Sequence, residues 1–259
     1  QYAVFAAGTL LTLLWCVSIG SVSVPLADTI DIIFRAVTGG ASASAYRAII
    51  LSVRLPRVLC VALSGAALSL CGAAMQGLLR NPLADGSTMG VSSGAALGAA
   101  MSIWLGITIP GIPLAGTALM AMLFAFLSLL LILSLAFALD RSFSTHTIIL
   151  IGVIFSMFVS SLMSLLITFA GERLRTITFW TMGSLSGSTY VNALTLLGAF
   201  IVFGGVIFLN ARELNAFAVG EENARNAGVN VKAVKLTVLI AVSALIGVCV
   251  SIGGSIGFI

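Results

Sequence analysis

Two arginines are spaced so that both could bind carboxylates at one end of a long apolar segment. Arg54 and Arg57 bracket Leu55-Pro56, and the residues after them are mostly apolar as far as Leu79. Proline is favoured in the first turn of a helix, where its missing N–H would have no partner. We therefore expect a helix that begins beside Pro56 with both arginines at its mouth. Their guanidinium groups would contact either lipid headgroups or the carboxylates of a docked partner.

A second polar segment, 140–147, contains the only histidine, His146, which follows Thr145. Imidazole can bind metals or carry protons, but His146 has no second ligand at a metal-binding spacing. We therefore expect a polar residue at the edge of a helix and predict no metal site and no cofactor. The sequence also lacks the glycine-rich phosphate loop of ATPases. Enzymatic activity of the chain itself is accordingly not expected.

The longest polar segment, 210–235, concentrates charge in an otherwise apolar sequence. Its apolar residues recur at helical spacing on either side of Gly220 and before Gly228, which predicts a hairpin of two short amphipathic helices. Such helices need a surface to pack against, and a soluble partner domain could supply it. A solvated loop is the alternative.

Composition assigns the chain to the membrane proteins. Of its 259 residues 60% are hydrophobic and 8% are charged, whereas soluble domains carry about 25% charged residues. A helix needs about 20 apolar residues to cross a bilayer. We predict a helical membrane bundle, with spans near 3–20, 58–79, 88–107, 113–139, 148–170, 191–209 and 236–252. The segment 24–40 should form a short amphipathic helix at the membrane surface, ending at Gly39-Gly40.

Small residues predict how two of these spans pack. Gly90, Gly94 and Gly98 recur every four residues and place a groove along one helical face, where a neighbouring backbone can approach closely. Every Asp and Glu lies in a polar segment or at the edge of a span. Proton-coupled transporters commonly carry acids inside their spans, so any active transport would draw its energy from a partner.

The distribution of basic residues does not orient the chain. With a cytoplasmic N-terminus, six basic residues fall inside and six outside. Cytoplasmic loops usually carry an excess of Lys and Arg, and an equal count therefore does not indicate the orientation. The outside six would be Arg35, Arg47, Arg54, Arg57, Arg173 and Arg175. We therefore expect the basic residues behind the net charge of +4 to bind lipid headgroups and partner proteins, not nucleic acid.

Several motifs in a fixed order resemble one family, the permease subunits of type II ABC importers for iron chelates, haem and cobalamin. They are R-L-P-R at 54–57, G-A-A-L at 65–68, G-A-A-M-Q-G-L at 72–78, N-P-L-A-D at 81–85, G-V-S-S-G-A at 90–95, W-T-M-G-S-L at 180–185, L-N-A-F-A-V-G-E-E-N-A-R-N-A-G-V at 214–229 and G-S-I-G-F-I at 254–259. The resemblance covers the chain from the second span to its C-terminus.

The resemblance implies an all-α permease of about ten helices that pairs with a second permease copy as a homodimer in the cytoplasmic membrane. Two separate ATPase subunits would energise it, and an extracytoplasmic substrate-binding protein would deliver an iron chelate, haem or cobalamin. Arg54 and Arg57 would dock that binding protein, and Thr145 and His146 would line the cytoplasmic gate. The coupling helices that contact the ATPase would include Leu214, Phe217, Val219, Gly220, Glu221, Ala224 and Gly228.

The chain departs from this family in two respects. Relatives have small polar residues where His146 stands, and they continue beyond the motif at 254–259, so we expect a single permease domain over 1–259 truncated at its C-terminus. Two alternatives stay open from the residues alone. One is an ion-coupled secondary transporter, and the other is a membrane scaffold or receptor that recruits a cytoplasmic partner through the segment 210–235.

Overall fold

The structure is a computed structural model that describes residues 1–40, 44–82, 84, 90–110, 115–140 and 144–255. Part of the motif at 81–85, Arg141 and the end of the motif at 254–259 lie outside the described residues. Within those ranges the chain is helical and contains no β-strand, as predicted.

The described residues up to Thr168 form six α-helices. They are α1 (Tyr2–Ser18), α2 (Leu26–Thr38), α3 (Leu55–Leu79), α4 (Val91–Leu105), α5 (Ala115–Leu139) and α6 (Thr145–Thr168). A π-helical segment, Ile49–Arg54, leads directly into α3.

The remainder of the chain begins with a short 3₁₀ turn, Gly171–Arg173, and a second π-helical segment occupies Phe200–Gly204. Its α-helices are α7 (Leu174–Met182), α8 (Tyr190–Ala199), α9 (Gly205–Leu209), α10 (Ala211–Val219), α11 (Glu221–Asn226) and α12 (Val231–Gly253).

Each of the seven predicted spans coincides with an apolar helix. Five helical stretches among the described residues are long and apolar enough to cross a membrane: Ile49–Leu79, Ala115–Leu139, Thr145–Thr168, Tyr190–Leu209 and Val231–Gly253. The other two predicted spans correspond to α1 and α4, which are shorter, with 17 and 15 residues. The chain is therefore a multi-pass membrane protein.

Residues 1–65 and 185–195 form one compact unit. Its apolar core contains Val17 at the end of α1, Ile32 of α2 and Ile50 of the first π-helical segment. The amphipathic helix predicted at 24–40 is α2, and it ends where Gly39 takes a left-handed conformation (φ 78°), which glycine adopts without steric cost.

Pro56 lies in the first turn of α3, as predicted, but this turn is not a free helix end, because the continuous helical stretch begins earlier, at Ile49. The turns before Pro56 are π-helical, and the amide of Leu55 donates to the carbonyl of Ile50, five residues back. In that pattern the carbonyl of Leu51 would accept from residue 56, but proline has no N–H to give. The hydroxyl of Tyr190 donates to this carbonyl instead, at 2.6 Å. A wider turn and an outside donor therefore accommodate a proline inside a membrane helix.

Residues 66–184 and 196–259 form the second unit. Helix α12 lies at its centre, since 72% of its most apolar stretch is buried, against 22–33% in the other four long spans. It packs mainly against α5, and also against α4 and α9. Its C-terminal end is held where the amide of Ser184 donates to the carbonyl of Gly253 at 2.7 Å.

The glycine ridge of α4 lies against α5. A methyl group placed on Gly98 would lie 2.6 Å from Cβ of Phe124 and would also meet the carbonyl of Met120. One placed on Gly94 would meet the side chain of Ser128 and lie 3.0 Å from the carbonyl of Phe124. Gly90 precedes the helix with φ 71° and faces Phe155. At Gly94 and Gly98 only hydrogen fits between the two helices.

We expect Gly94→Ala to lower the free energy of unfolding in detergent by about 1–3 kcal/mol, because the added methyl group forces α4 and α5 apart. Gly198→Ala is the matched control, since a methyl group there meets no atom within 4 Å. Helix propensity predicts that this control is neutral or slightly stabilising. Unfolding by titration with sodium dodecyl sulfate measures both variants, and equal effects would contradict close packing along the ridge.

Candidate functional site

Arg54 is buried in the first unit, with 9% of its surface exposed. Its Nη1 donates to the carbonyl of Val17 at 3.1 Å and to the carbonyl of Ser18 at 2.6 Å. Its Nη2 donates to the carbonyl of Val22. The Arg54 guanidinium thus binds the C-terminal end of α1 and the turn that follows it.

Helix ends explain this arrangement. The last carbonyls of an α-helix have no partner within the helix, and they carry the negative end of the helix dipole. A guanidinium group satisfies both the hydrogen bonds and the charge. Gly20 makes room for it, since a methyl group at position 20 would lie 2.6 Å from Nη2 of Arg54.

Arg57 has a different environment from Arg54. It is exposed, and among the described residues it makes no hydrogen bond or ion pair. The two arginines predicted to act together are therefore separated in role: Arg54 has internal partners, while the guanidinium of Arg57 is open to solvent.

Arg173 supplies a second example of the same chemistry, in the second unit. Its Nη1 donates to the carbonyl of Ile103 at 2.9 Å and to the carbonyl of Trp104, in the last turn of α4. Gly106 ends this helix with φ 72°, and a methyl group there would lie 2.9 Å from the Arg173 guanidinium. Arg173 was predicted to be one of the outside arginines, and its contact with the end of α4 was not predicted.

The predicted coupling segment consists of α10 and α11, joined at Gly220. Gly220 has φ 140° and ψ 144°, a backbone conformation that residues with a Cβ rarely adopt. Among the predicted residues, Leu214, Phe217 and Ala224 are buried, whereas Val219 is 74% exposed. After α11, Gly228 takes φ 88°, and the side chain of Asn230 caps α12 by accepting from the amide of Ala233.

The helix α10 passes close to the end of α3. A methyl group on Gly77 would lie 3.8 Å from the carbonyl of Leu214. Arg80, which follows α3 with φ 49°, extends its guanidinium to 3.9 Å from a methyl group placed on Gly220. The C-terminal end of α3 therefore lies close to α10 and to the turn at Gly220.

Glu221, the first residue of α11, forms an ion pair that the sequence did not predict. Its Oε2 lies 2.8 Å from Nζ of Lys235 in α12, and Lys235 is 1% exposed. Its Oε1 lies 3.9 Å from Nη2 of Arg225, whose side chain is 67% exposed. The contact with Lys235 is therefore the substantial one, because exposed pairs contribute little.

The two predicted gate residues lie in the first turn of α6. Ser144 caps this helix by accepting from the amide of Thr147 at 3.4 Å, and Asp140 accepts from the amide of Ser144 at 3.0 Å. Thr145 is half-buried and His146 is exposed. No group of three or more His, Cys, Asp or Glu among the described residues could hold a metal ion.

Comparison with known proteins agrees with this architecture. The model of the FecCD transport family matches residues 8–259. The uncharacterized ABC transporter permease protein YvrB of Bacillus subtilis is 37% identical over 94% of this chain and 70% of its own length. The hemin transport system permease protein HmuU of Yersinia pestis is 36% identical over 97% of this chain and 75% of its own.

A cobalamin import system permease protein, BtuC of Halobacterium salinarum, is 35% identical over 80% of this chain and 55% of its own length. The chain of a solved ABC transporter structure in an inward-facing conformation matches with a TM-score of 0.80 and 31% identity, over 96% of this chain and 74% of that one. The chain thus spans about half to three quarters of the length of these relatives.

In these systems the permease is not the enzyme, since the ATPase is a separate subunit. The family resemblance that the motifs indicated is confirmed. The helical membrane-spanning architecture, the order of the motifs and the match over residues 8–259 together show that the chain belongs to the FecCD transport family of ABC importer permeases.

Proposed function

We propose that the chain is the membrane-spanning permease of an importer that moves an iron chelate across the cytoplasmic membrane, working as a homodimer with two ATPase subunits and an extracytoplasmic binding protein. The observation that carries the proposal is the family match over residues 8–259. Relatives are named for hemin and for Fe(3+) dicitrate, which supports an iron-containing cargo. Others are named for cobalamin and molybdate, which makes these the competing cargoes.

In this proposal the pair α10–α11 is the element that contacts the ATPase. Leu214, Phe217 and Ala224 hold the pair against the rest of the chain, while Val219 is exposed beside Gly220 and suits contact with a partner. ATP binding by the partner subunits would move this pair, and the spans would then open the path to one side at a time. Thr145 and His146, at the start of α6, would line the cytoplasmic end of that path.

The binding protein would dock on the side of the membrane that Arg57 faces. The exposed guanidinium of Arg57 suits a carboxylate on a soluble partner. Arg54 would act differently from the sequence-based expectation, because its hydrogen bonds to the end of α1 leave it to hold the local backbone that presents Arg57.

Transport is tested with the full-length protein and its ATPase in liposomes, supplied with the binding protein and labelled cargo. We expect ATP-dependent uptake of a ferric chelate, with hemin, cobalamin and molybdate tested in parallel. Uptake of one of these instead would keep the importer and change the cargo. Uptake that an ionophore abolishes and that needs no ATPase would overturn the proposal.

Docking is tested by exchanging the two arginines separately. Arg57→Glu should weaken binding of the binding protein about tenfold or more through like-charge repulsion, with unchanged thermal stability. Arg54→Gln should instead lower the free energy of unfolding by about 1.5–3 kcal/mol, since charged hydrogen bonds to carbonyls of α1 are lost. Affinity is measured at several salt concentrations. An Arg57→Glu variant that binds normally would contradict the docking role of Arg57.

A further inference from the structure

We propose that Lys235 is a positioning residue of the transport cycle: its ion pair with Glu221 connects the helix pair α10–α11 to α12. The inference rests on the proposed function, because it assumes that α10–α11 contacts an ATPase. It assigns a role to a residue that neither the motifs nor the composition distinguished from the other basic residues of the segment 210–235.

Burial makes this ion pair hard to break. Lys235 is 1% exposed, and its Nζ lies 2.8 Å from Oε2 of Glu221. A buried ammonium group separated from its counterion is strongly unfavourable, whereas an exposed pair separates at little cost. When α11 moves, Lys235 should therefore move with Glu221 rather than release it.

The chain on each side of Glu221 suits such a link. Gly220 precedes it with φ 140° and joins it to α10, so that movement of α10 reaches Glu221 across a single residue. Glu221 opens α11, where a carboxylate also interacts favourably with the helix dipole. The side chain of Glu221 is 25% exposed.

Beyond the link, α12 is well placed to distribute movement. Lys235 is the fifth residue of this helix, which begins at Val231. With 72% of its most apolar stretch buried, α12 is the most enclosed of the long spans among the described residues, and it packs against α5, α4 and α9. A displacement of its first turns therefore reaches several spans, since closely packed helices move together.

Lys232, one turn away from Lys235, strengthens the contact of α12 with α5. Its Nζ lies 4.6 Å from the centre of the Phe137 ring, at the end of α5. Cations at this distance are attracted to the ring face. The start of α12 is thus tied on one side to α11, through Glu221, and on the other side to α5.

The test compares Lys235→Met with Arg225→Met in the full-length permease bound to its ATPase. Both substitutions remove one positive charge near Glu221, but Arg225 is exposed and 3.9 Å away. Hydrogen exchange is measured without nucleotide and with ADP-vanadate, separately for peptides that cover α11 and the first turns of α12. We expect both peptides to respond in the native protein and in Arg225→Met.

In Lys235→Met the response of α11 should persist while that of α12 falls about tenfold, because the link between them is missing. ATP hydrolysis should continue with less cargo moved per ATP. A Lys235→Met variant whose α12 responds like the native protein would overturn the inference. Absence of any nucleotide response in the native complex would instead overturn the proposed function, and this inference with it.

Two further variants cover the case in which Lys235→Met does not fold. The exchanged pair Glu221→Lys with Lys235→Glu restores opposite charges at the same two positions, and Lys235→Arg retains the cation. Glu221→Lys alone places two cations together and should reduce the response of α12. Both the exchanged pair and Lys235→Arg should show a larger response of α12 than Glu221→Lys alone. Failure of both to recover it, in protein that folds and binds the ATPase, would overturn the role of the ion pair.

Discussion

Every backbone polar group that lies in the hydrocarbon core of a membrane must find a partner inside the protein, and this constraint explains where several polar side chains of the structure are used. A helix that stays regular satisfies most of its own groups, so difficulties arise where a helix ends or is interrupted. Among the described residues, examples with a side-chain donor are Arg54 at the end of α1, Arg173 at the end of α4, and Tyr190 at the carbonyl of Leu51 beside Pro56. In each place the donor comes from a segment distant in sequence. The polar residues therefore fix the positions of helix ends and kinks.

The same constraint explains why the even split of basic residues, six on each predicted side, does not orient the chain. Arginine offers five N–H donors and a permanent charge, which makes it the best residue to satisfy several carbonyls at a helix terminus. Arg54 and Arg173 do so, Arg35 pairs with Asp31, and the guanidinium of Arg175 lies 5.5 Å from the ring of Phe179. Residues used in this way report local structure rather than membrane orientation. A count of basic residues cannot distinguish an arginine that binds a helix end from one that marks the cytoplasmic side of the membrane.

Hydropathy and motif order predicted the spans and the family, while the partners of individual polar residues required the structure. The amphipathic helix α2 and its end at Gly39 followed from periodicity and a glycine stop, both of which are local signals. The helical segment before α3 was missed because a proline usually marks a free helix start, and nothing in the sequence indicates that a π-helical turn and Tyr190 compensate for it. The burial of Lys235 was equally unpredictable, since it depends on how α11 folds back onto α12.

The charged residues of the segment 210–235 show why composition alone misjudges such a segment. Its concentration of charge, taken alone, favours a solvated loop, which was the alternative to the helical hairpin predicted from its apolar periodicity. In the structure its first carboxylate after Gly220 is drawn inward by a buried lysine, and its apolar residues Phe217 and Ala224 are enclosed. A solvated loop would gain nothing from burying a lysine, because the cost of desolvation is recovered only through a fixed partner. The buried pair therefore indicates a segment that keeps a defined position on α12, and a defined position is what a surface needs if it is to pass the movement of a soluble partner into the membrane.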